Sequence, residues 1–495
     1  MLPEPTRDGS PSFVDVLIVG AGISGIAAAY YLQRDLPKKS FAIVERRAVI
    51  GGTWDLFRYP GIRSDSDLYT FGYEFKPWTN ENAIASGESI LAYLRETLEE
   101  NDLGRHVHFH HSVKRASWSS DRARWTVELE VTDGRSPEVV SRVVECSHLF
   151  AGTGYYRYDQ GYRPKFEGED TFRGTFVHPQ EWPEDLDYRG KKVVVIGSGA
   201  TAVTLVPAMA GVAEHVTMLQ RTPTYVLPLP QKDAIANFLH RTLPPKTAHA
   251  LVRKKNVTLQ RTFFRFCKAF PKLARSFIRK ENVKRLPEGY PVDEHFNPPY
   301  DPWDQRLCAV PNGDLFRVIR KGTASIVTDR IRTFTERGVL LESGKELEAD
   351  IVVTATGLNL QMLGGIGLVV DGTPVDFSKK VAFKGMMLDG VPNFVLALGY
   401  TNASWTLKVG LLCEHFCRIL ARMDARGERI FVPELPSPTM ETKPLLDFGA
   451  GYVKRALSQL PRQGLKAPWL QSMDYELDVK LLRDAPVEDP CLHFR

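Results

Sequence analysis

Two glycine-rich motifs of the form G-x-G-x-x-G or G-x-G-x-x-A occur in this chain, each directly after an apolar run, at 14–19 and 192–196. Their small residues are Gly20, Gly22 and Gly25 in the first motif and Gly197, Gly199 and Ala202 in the second. Such residues permit a tight turn, bring the backbone close to a pyrophosphate and let the next helix pack on the strand, while the helix N-terminus offers free N–H groups to the anion. We therefore predict two dinucleotide-binding sites.

The residue that ends the following strand differs between the two motifs. Glu45 stands 20 residues after Gly25, where a carboxylate can accept hydrogen bonds from ribose hydroxyls, and this predicts FAD at the first site. The equivalent place after the second motif holds Arg221 and Thr222. A guanidinium beside a hydroxyl suits a ribose 2′-phosphate and predicts NADPH, unless Arg221 faces solvent without a ligand.

Three further motifs lie around and between these sites. Their residues are Gly52, Thr53, Trp54 and Asp65 in the segment 52–65; Phe172, Gly174, His178, Trp182 and Pro183; and Arg306 in the segment 303–307. The second set matches F-x-G-x-x-x-H-x-x-x-W-P. With these motifs, the chain from about residue 14 to about residue 420 resembles the class B flavoprotein monooxygenases, in particular the Baeyer–Villiger monooxygenase family with its ethionamide-activating and long-chain alkane members.

The resemblance implies an α/β fold with two Rossmann-like dinucleotide-binding domains, one for FAD and one for NADPH, and a helical insertion in the NADPH domain. We expect the chain to be divided as follows: FAD domain, first part, 1–160; NADPH domain, first part, 161–225; helical basic insertion, 226–304; NADPH domain, second part, 305–374; and FAD domain return with C-terminal tail, 375–495.

The resemblance also assigns the catalytic residues. In this family a reduced flavin and dioxygen form a C4a-peroxide that attacks a carbonyl, and a fixed cation stabilises the negative charge of the peroxide and of the adduct. Arginine suits this task because it keeps its proton near neutral pH, and the resemblance selects Arg306. Asp65 is implied as a carboxylate of the same pocket that orients the arginine and the nicotinamide.

Two details of the motifs qualify these expectations. The resemblance places His178 and Trp182 on the linker between the dinucleotide domains, so we expect them to couple domain motion to the cofactor state and not to transfer protons.

Several family members have a lysine before the active-site arginine that helps to hold the 2′-phosphate, whereas this chain has Gln305. Selectivity for NADPH would then depend on Arg221 and Thr222 alone.

Composition and charge are those of a globular protein of two or three domains: 495 residues, 43% hydrophobic, with a net charge of +5. Charged residues near the N-terminus argue against an export signal and for a cytoplasmic location. The run 14–32 is nearly uncharged, but its glycines favour a strand, turn and helix over a membrane span.

The six cysteines lack metal-ligand spacing, so we expect no metal site, and no C-x-x-C pair supports a disulfide reductase.

The predicted insertion is strongly basic. Between residues 240 and 285 the chain has fourteen Lys or Arg and a single acid, Glu281, with phenylalanines interleaved at roughly helical spacing. One interpretation is an amphipathic helix whose aromatic face packs on the core or lines a substrate tunnel. The alternative is peripheral contact with an anionic membrane, and nucleic acid is not expected.

The two glycine motifs and the family resemblance together imply an FAD- and NADPH-dependent monooxygenase that uses dioxygen to convert ketones into esters or lactones, with sulfide oxidation as a side activity. Two alternatives stay open. One is a flavin monooxygenase that oxygenates heteroatoms or hydroxylates long alkanes. The other is a non-catalytic flavoprotein recruited to membranes by the basic insertion.

Overall fold

The computed structural model of this chain describes residues 11–134, 138–305, 307–447 and 449–495. It contains two separate large β-sheets, each with a parallel core. The predicted α/β class with two dinucleotide-type folds is therefore confirmed. The first glycine motif follows a strand of one sheet, and the second motif follows a strand of the other.

The first sheet has nine strands. In spatial order they are Thr373–Pro374, Gly367–Val370, His111–Ser119, Arg124–Val131, Val140–Ala151, Ser12–Val19, Phe41–Val44 and Val107–His108, with Phe394–Leu396 also paired to Val140–Ala151. Its parallel part places Val19 beside both Val44 and Ala151. The residues that follow these three strands therefore meet at one edge of the sheet.

The second sheet has five strands, all parallel. In spatial order they are Ala324–Thr328, His215–Gln220, Lys192–Ile196, Ile351–Thr354 and Thr175–Val177. Smaller pairings join Tyr225–Leu229 with Leu307–Pro311; Ile331–Phe334 with Gly338–Leu341 and Glu346–Glu348; Ala382–Phe383 with Met387–Leu388; Phe431–Pro433 with Leu492–Phe494; and Thr442–Pro444 with Arg462–Gly464.

Helices cover both sheets and form the insertion. They are Ile23–Asp35, Thr53–Leu56, Leu68–Phe71, Gly87–Glu100, Ala200–Met209, Ala234–Thr242, Pro245–Ala269, Pro271–Val283, Val292–His295, Asp314–Arg320, Trp405–Arg426, Gly451–Ala456 and Tyr475–Asp478. The nearly uncharged run at 14–32 is a strand and a helix joined at the first glycine motif, as its sequence predicts. Within the described ranges, no helix combines the length and apolar composition needed to cross a bilayer.

The chain passes between the two sheets along two adjacent crossings, 152–162 and 355–361. Arg157 N donates to Asn359 O at 2.9 Å, and Tyr162 N donates to Gly357 O at 3.1 Å. The Asn359 side chain also donates to the carbonyl of Gly161 at 3.0 Å. The strand Gly367–Val370 already belongs to the first sheet, and the exact domain boundaries stay a prediction.

A buried histidine gives the fold a testable dependence on pH. His148, in the strand Val140–Ala151, stacks on Phe431 with ring centroids 5.9 Å apart, and burial lowers its pKa to about 3. In the unfolded chain a histidine has a pKa of about 6.5, so between pH 7 and pH 5 only the unfolded state gains this proton. The free energy of unfolding therefore falls as the pH falls.

We expect His148 to contribute about 2 kcal/mol to this loss of stability at pH 5. In His148→Phe, the loss between pH 7 and pH 5 should be smaller by about that amount, as measured by urea unfolding at each pH. His493→Gln, which changes a half-exposed imidazole, is the control. An unaltered pH dependence in His148→Phe would contradict the assignment.

Candidate functional site

A cavity of about 990 Å³ opens where the carboxyl ends of the first sheet's parallel strands meet the insertion. Both the first glycine motif and the segment 52–65 contribute to its wall. Its lining includes Gly20, Gly22, Ser24, Glu45, Gly52, Thr53, Trp54, Asp65, Asp67, Thr153, Tyr158, Leu259, Gln260, Phe263, Phe277, Trp303, Leu307, Asn402 and Trp405. The sequence-predicted residues of the first site that lie here are thus brought together, since strands 12–19, 41–44 and 140–151 end side by side.

Backbone contacts account for the glycines of the first motif. Gly20 has φ +99°, and its N–H donates to the carbonyl of Val44 at 2.8 Å. A Cβ at Gly25 would lie 1.9 Å from the carbonyl oxygen of Gly20, so the helix Ile23–Asp35 could not pack this closely with any side chain there. A Cβ at Gly22 would instead meet only Gly52 Cα, at 3.8 Å, which leaves the backbone bare toward the cavity.

The carboxylate of Glu45 lies at the predicted place beside this motif. Its Oε2 accepts a hydrogen bond from Ala21 N at 2.9 Å, and its Oε1 accepts one from Arg47 N at 2.8 Å. Each carboxylate oxygen has a second lone pair available. Glu45 is buried in the protein but lines the cavity, so its orientation is fixed before any ligand arrives.

The segment 52–65 links the cavity to the second dinucleotide fold. It starts at the cavity with Gly52, and its middle residues Phe57 and Tyr59 belong to the hydrophobic core around the second sheet. A Cβ at Gly61 would lie 2.7 Å from Ala208 Cβ in the helix Ala200–Met209. Burial raises the pKa of Tyr59 to about 12, with a hydrogen bond to Thr201 of the same helix opposing the shift. The segment returns to the cavity at Asp65.

Of the two predicted catalytic residues, Asp65 lines the cavity as an exposed side chain. Arg306 lies outside the described residues. Its sequence neighbours Trp303 and Leu307 both line the cavity. The catalytic role of both residues stays a prediction.

A second carboxyl, Asp67, was not selected from the sequence. It caps the helix Leu68–Phe71 by accepting a hydrogen bond from Thr70 N at 3.1 Å, and it also accepts hydrogen bonds from the side chains of Asn256 and Gln260. Burial raises its pKa above the ordinary value for an aspartate. The repeated Ser-Asp pairs at 64–67 are its only sequence signal, because its partners Asn256 and Gln260 lie 189 and 193 residues away.

The second glycine motif lies apart from this cavity. Gly197 has φ +138°, and its N–H donates to Leu219 O at 2.8 Å, while a Cβ at Gly199 would meet no atom within 4 Å. Ala202, in the first turn of the helix Ala200–Met209, is fully buried. Arg221 is exposed and pairs with no acid among the described residues, and Ser198 Oγ donates to the carbonyl of Thr222 at 2.9 Å. Arg221 and Thr222 therefore directly follow the strand His215–Gln220, as predicted from the motif.

The Phe172 to Pro183 string packs against the crossings between the sheets. A Cβ at Gly174 would lie 2.3 Å from the ring of Phe172. His178 Nδ1 accepts a hydrogen bond from Gln180 N at 3.2 Å, its ring packs on Gly161, and burial lowers its pKa. Trp182 packs partly on the second sheet's core, and Pro183 is exposed. None of the five motif residues of this string lines the cavity; they are Phe172, Gly174, His178, Trp182 and Pro183.

The insertion is helical, as its sequence predicts, and forms one wall of the cavity. Its helix Pro245–Ala269 is anchored by Arg253, whose Nη1 donates to the carbonyls of Tyr69, Thr70 and Gly72 at 3.1–3.4 Å. Its aromatic residues Phe263 and Phe277 face the cavity. The interpretation of an amphipathic helix that lines a tunnel agrees with this arrangement, although other apolar residues of the insertion stay exposed.

Trp405, at the start of the helix Trp405–Arg426, also lines the cavity. Its Nε1 donates to Ser24 Oγ at 2.9 Å, and its ring lies 5.4 Å from the ring of Tyr155. A Cβ at Gly399 would lie 2.4 Å from the indole, so a glycine is required there. Trp405 therefore joins two helix N-termini at the cavity.

Known proteins resemble this chain in sequence and in fold. Residues 14–363 match the family model described as flavin-binding monooxygenase-like. The "FAD-containing monooxygenase EthA" of Mycobacterium tuberculosis is 51% identical over 482 residues, 97% of each chain. A steroid monooxygenase bound to NADP superposes with a TM-score of 0.76 at 22% identity, covering 98% of this chain and 99% of that one. A cyclohexanone monooxygenase from Rhodococcus bound to NADP+ superposes with a TM-score of 0.68 at 23% identity, covering 86% and 87%.

The close packing at Gly25 predicts a large cost for a single methyl group. Gly25→Ala forces a Cβ against a backbone oxygen that cannot rotate away, so we expect the free energy of unfolding to fall by about 3 kcal/mol. Thermal and urea unfolding measure this loss. Gly104→Ala, where a Cβ meets open space, is the matched control and should change stability by about 0.5 kcal/mol or less. Equal stability of the two variants would refute the packing argument.

Proposed function

This chain belongs to the flavin-binding monooxygenase-like family, and from that premise we propose that it is an FAD- and NADPH-dependent Baeyer–Villiger monooxygenase. It converts ketones into esters or lactones with dioxygen and also oxidises sulfides. The observation that carries the proposal is that Glu45, Asp65 and the sequence neighbours of Arg306 all line one cavity with apolar walls.

The residues around the first glycine motif fit FAD. Gly22 and Gly52 both line the cavity beside the N-terminus of the helix Ile23–Asp35, which has no side-chain cap and so offers free N–H groups to a pyrophosphate. Glu45 has lone pairs left for ribose hydroxyls. We assign Gly20, Gly25, Thr53 and Trp54 to the same binding site. FAD supplies the redox chemistry that activates dioxygen.

The second motif is assigned to NADPH. The helix Ala200–Met209 has no side-chain cap at Gly199, so its free N–H groups can meet the pyrophosphate. Arg221, exposed and without an acidic partner, supplies the charge that a 2′-phosphate requires, and Thr222 contributes its hydroxyl. The NADP-bound steroid and cyclohexanone monooxygenases, which share this fold, support the assignment.

The chemical step needs a fixed positive charge where the substrate carbonyl oxygen becomes negative. We assign this to Arg306, because a guanidinium stays protonated in an apolar cavity and stabilises the developing oxyanion more strongly than it stabilises the neutral ketone. Asp65 orients this guanidinium. Phe263 and Phe277 exclude water and bind the apolar part of the ketone.

The segment 52–65 is proposed to couple the two cofactor sites. Its ends lie at the cavity, whereas Tyr59 and Gly61 pack on the helix of the second glycine motif. A shift of the second fold would therefore move Asp65. The Phe172 to Pro183 string, packed against the crossings, would limit that motion through His178 and Gln180.

Arg306→Ala tests the chemical assignment. The wild-type protein, incubated with NADPH and a panel of cyclic ketones, linear ketones and sulfides, should form esters or lactones, as measured by gas chromatography. The variant should reduce its flavin with NADPH at a normal rate yet form ester at least about 100-fold more slowly, because the oxyanion loses its stabilising cation. Arg332→Ala, at an exposed strand position of the second fold, is the control. Ester formation at the wild-type rate would remove Arg306 from the mechanism, and a wild type that never oxidises NADPH would favour a non-catalytic flavoprotein.

Arg221→Ala tests the cofactor assignment. Loss of one charge-assisted contact to the 2′-phosphate should raise the KM for NADPH by roughly tenfold while leaving the KM for NADH nearly unchanged. Steady-state oxidation of NADPH and of NADH at varied cofactor concentration measures both constants. If both constants rise equally, Arg221 does not bind the phosphate.

A further inference from the structure

The insertion has an exposed apolar surface, part of which lines the cavity. The side chains of this surface are between 47% and 65% exposed, and they are Ile235, Phe238, Leu259, Phe270, Leu273 and Phe277. Three of them, Ile235, Leu259 and Phe277, also line the cavity. Residues that line a cavity and are also largely exposed mark its mouth. We name these six residues the mouth patch.

The mouth patch spans three helices that pack side by side: Ala234–Thr242, Pro245–Ala269 and Pro271–Val283. Within the last helix, Ala274 and Ile278 are buried, whereas Leu273 and Phe277 lie one turn apart on the outer side. Several large apolar side chains exposed on neighbouring helices beside a cavity are typical of a site of contact with another apolar phase.

Unpaired cations accompany the mouth patch. Most basic side chains of the insertion form ion pairs, such as Lys255 with Asp233 and Arg279 with Asp293. Five exposed ones have no acidic partner among the described residues, and they are Arg241, Lys246, Lys254, Lys272 and Lys280. Lys280 shares the outer face of its helix with Leu273, since seven residues are two helical turns.

We propose that the mouth patch docks on the surface of an anionic lipid bilayer and that the cavity receives apolar substrates from that bilayer. Exposed apolar side chains flanked by unpaired cations are what an interfacial helix presents to anionic lipids. Because the mouth of the cavity lies within the patch, docking would seal it against water and open it to the acyl chains. The second half of this statement, substrate delivery, rests on the proposed function, whereas docking does not.

Docking is tested by sedimentation with sucrose-loaded vesicles of phosphatidylglycerol or of phosphatidylcholine, without NADPH or substrate. The full-length protein should partition at least about tenfold more strongly onto the anionic vesicles, and added salt should reverse this. Two variants avoid the residues that line the cavity. Lys272→Glu/Lys280→Glu and Phe238→Ser/Leu273→Ser should each weaken binding by about tenfold or more.

Matched controls carry the same changes elsewhere on the surface. Val140→Ser/Val212→Ser changes two exposed apolar residues, and Lys191→Glu/Lys345→Glu reverses two exposed charges. Both should bind as the wild type does, with unchanged melting temperatures in all four variants. Absence of wild-type binding to anionic vesicles, or equal binding by patch and control variants, would overturn docking. Concentration-dependent dimers that only Phe238→Ser/Leu273→Ser abolishes, without vesicle binding, would also overturn it in favour of a second copy of this chain.

Delivery is tested by comparing two ketones. For a long-chain ketone dissolved in phosphatidylglycerol vesicles, Lys272→Glu/Lys280→Glu should raise the apparent KM by about tenfold, while KM for a short water-soluble ketone stays at the wild-type value. If the wild type and Lys272→Glu/Lys280→Glu have equal KM values for the vesicle-borne ketone, substrate delivery from the bilayer is overturned. Vesicle binding without oxidation of either ketone would leave docking in place and instead contradict the proposed function.

Discussion

The site depends on three backbone segments that meet more closely than side chains permit. Gly20, Gly25 and Gly152 lie where the first sheet's strands end, and a Cβ at any of them would approach a neighbouring backbone atom to 3.0 Å or less. This contact fixes the N-terminus of the helix Ile23–Asp35 against the sheet edge. Because the helix cannot shift, Glu45 on the next strand and the bare backbone of Gly22 face one cavity.

The second constraint is the segment 52–65, which belongs to both folds. Apolar packing of Phe57 and Tyr59 in the second sheet's core holds it on one side, and its two ends form part of the cavity on the other. The paired crossings between the sheets add hydrogen bonds between 157–162 and 357–359. Under the proposed function, relative motion of the two folds would reach Asp65 through this short, packed stretch of chain.

Polar anchors and a few buried apolar residues, such as Val252 and Ile278, together attach the insertion to the rest of the protein. Arg253 donates to three backbone carbonyls, Asn256 and Gln260 donate to Asp67, and Arg261 pairs with Asp474 of the C-terminal segment at 2.8 Å. Guanidinium and amide groups that make several hydrogen bonds can hold a helix in place without burying its apolar side chains. Phe238, Leu273 and the other residues of the mouth patch take no part in these attachments and stay exposed.

The sequence by itself determined the two dinucleotide folds, the carboxylate at Glu45, the basic helical insertion and the family. These features depend on local rules: glycine spacing, strand-ending residues and helical periodicity act within about 30 residues. Only the tertiary structure decided that 52–65 bridges both folds, that Asp67 anchors Asn256 and Gln260, and that the mouth of the cavity opens among exposed apolar side chains. Such facts join residues up to about 190 positions apart, and no local pattern contains them because they arise from how the packed elements meet.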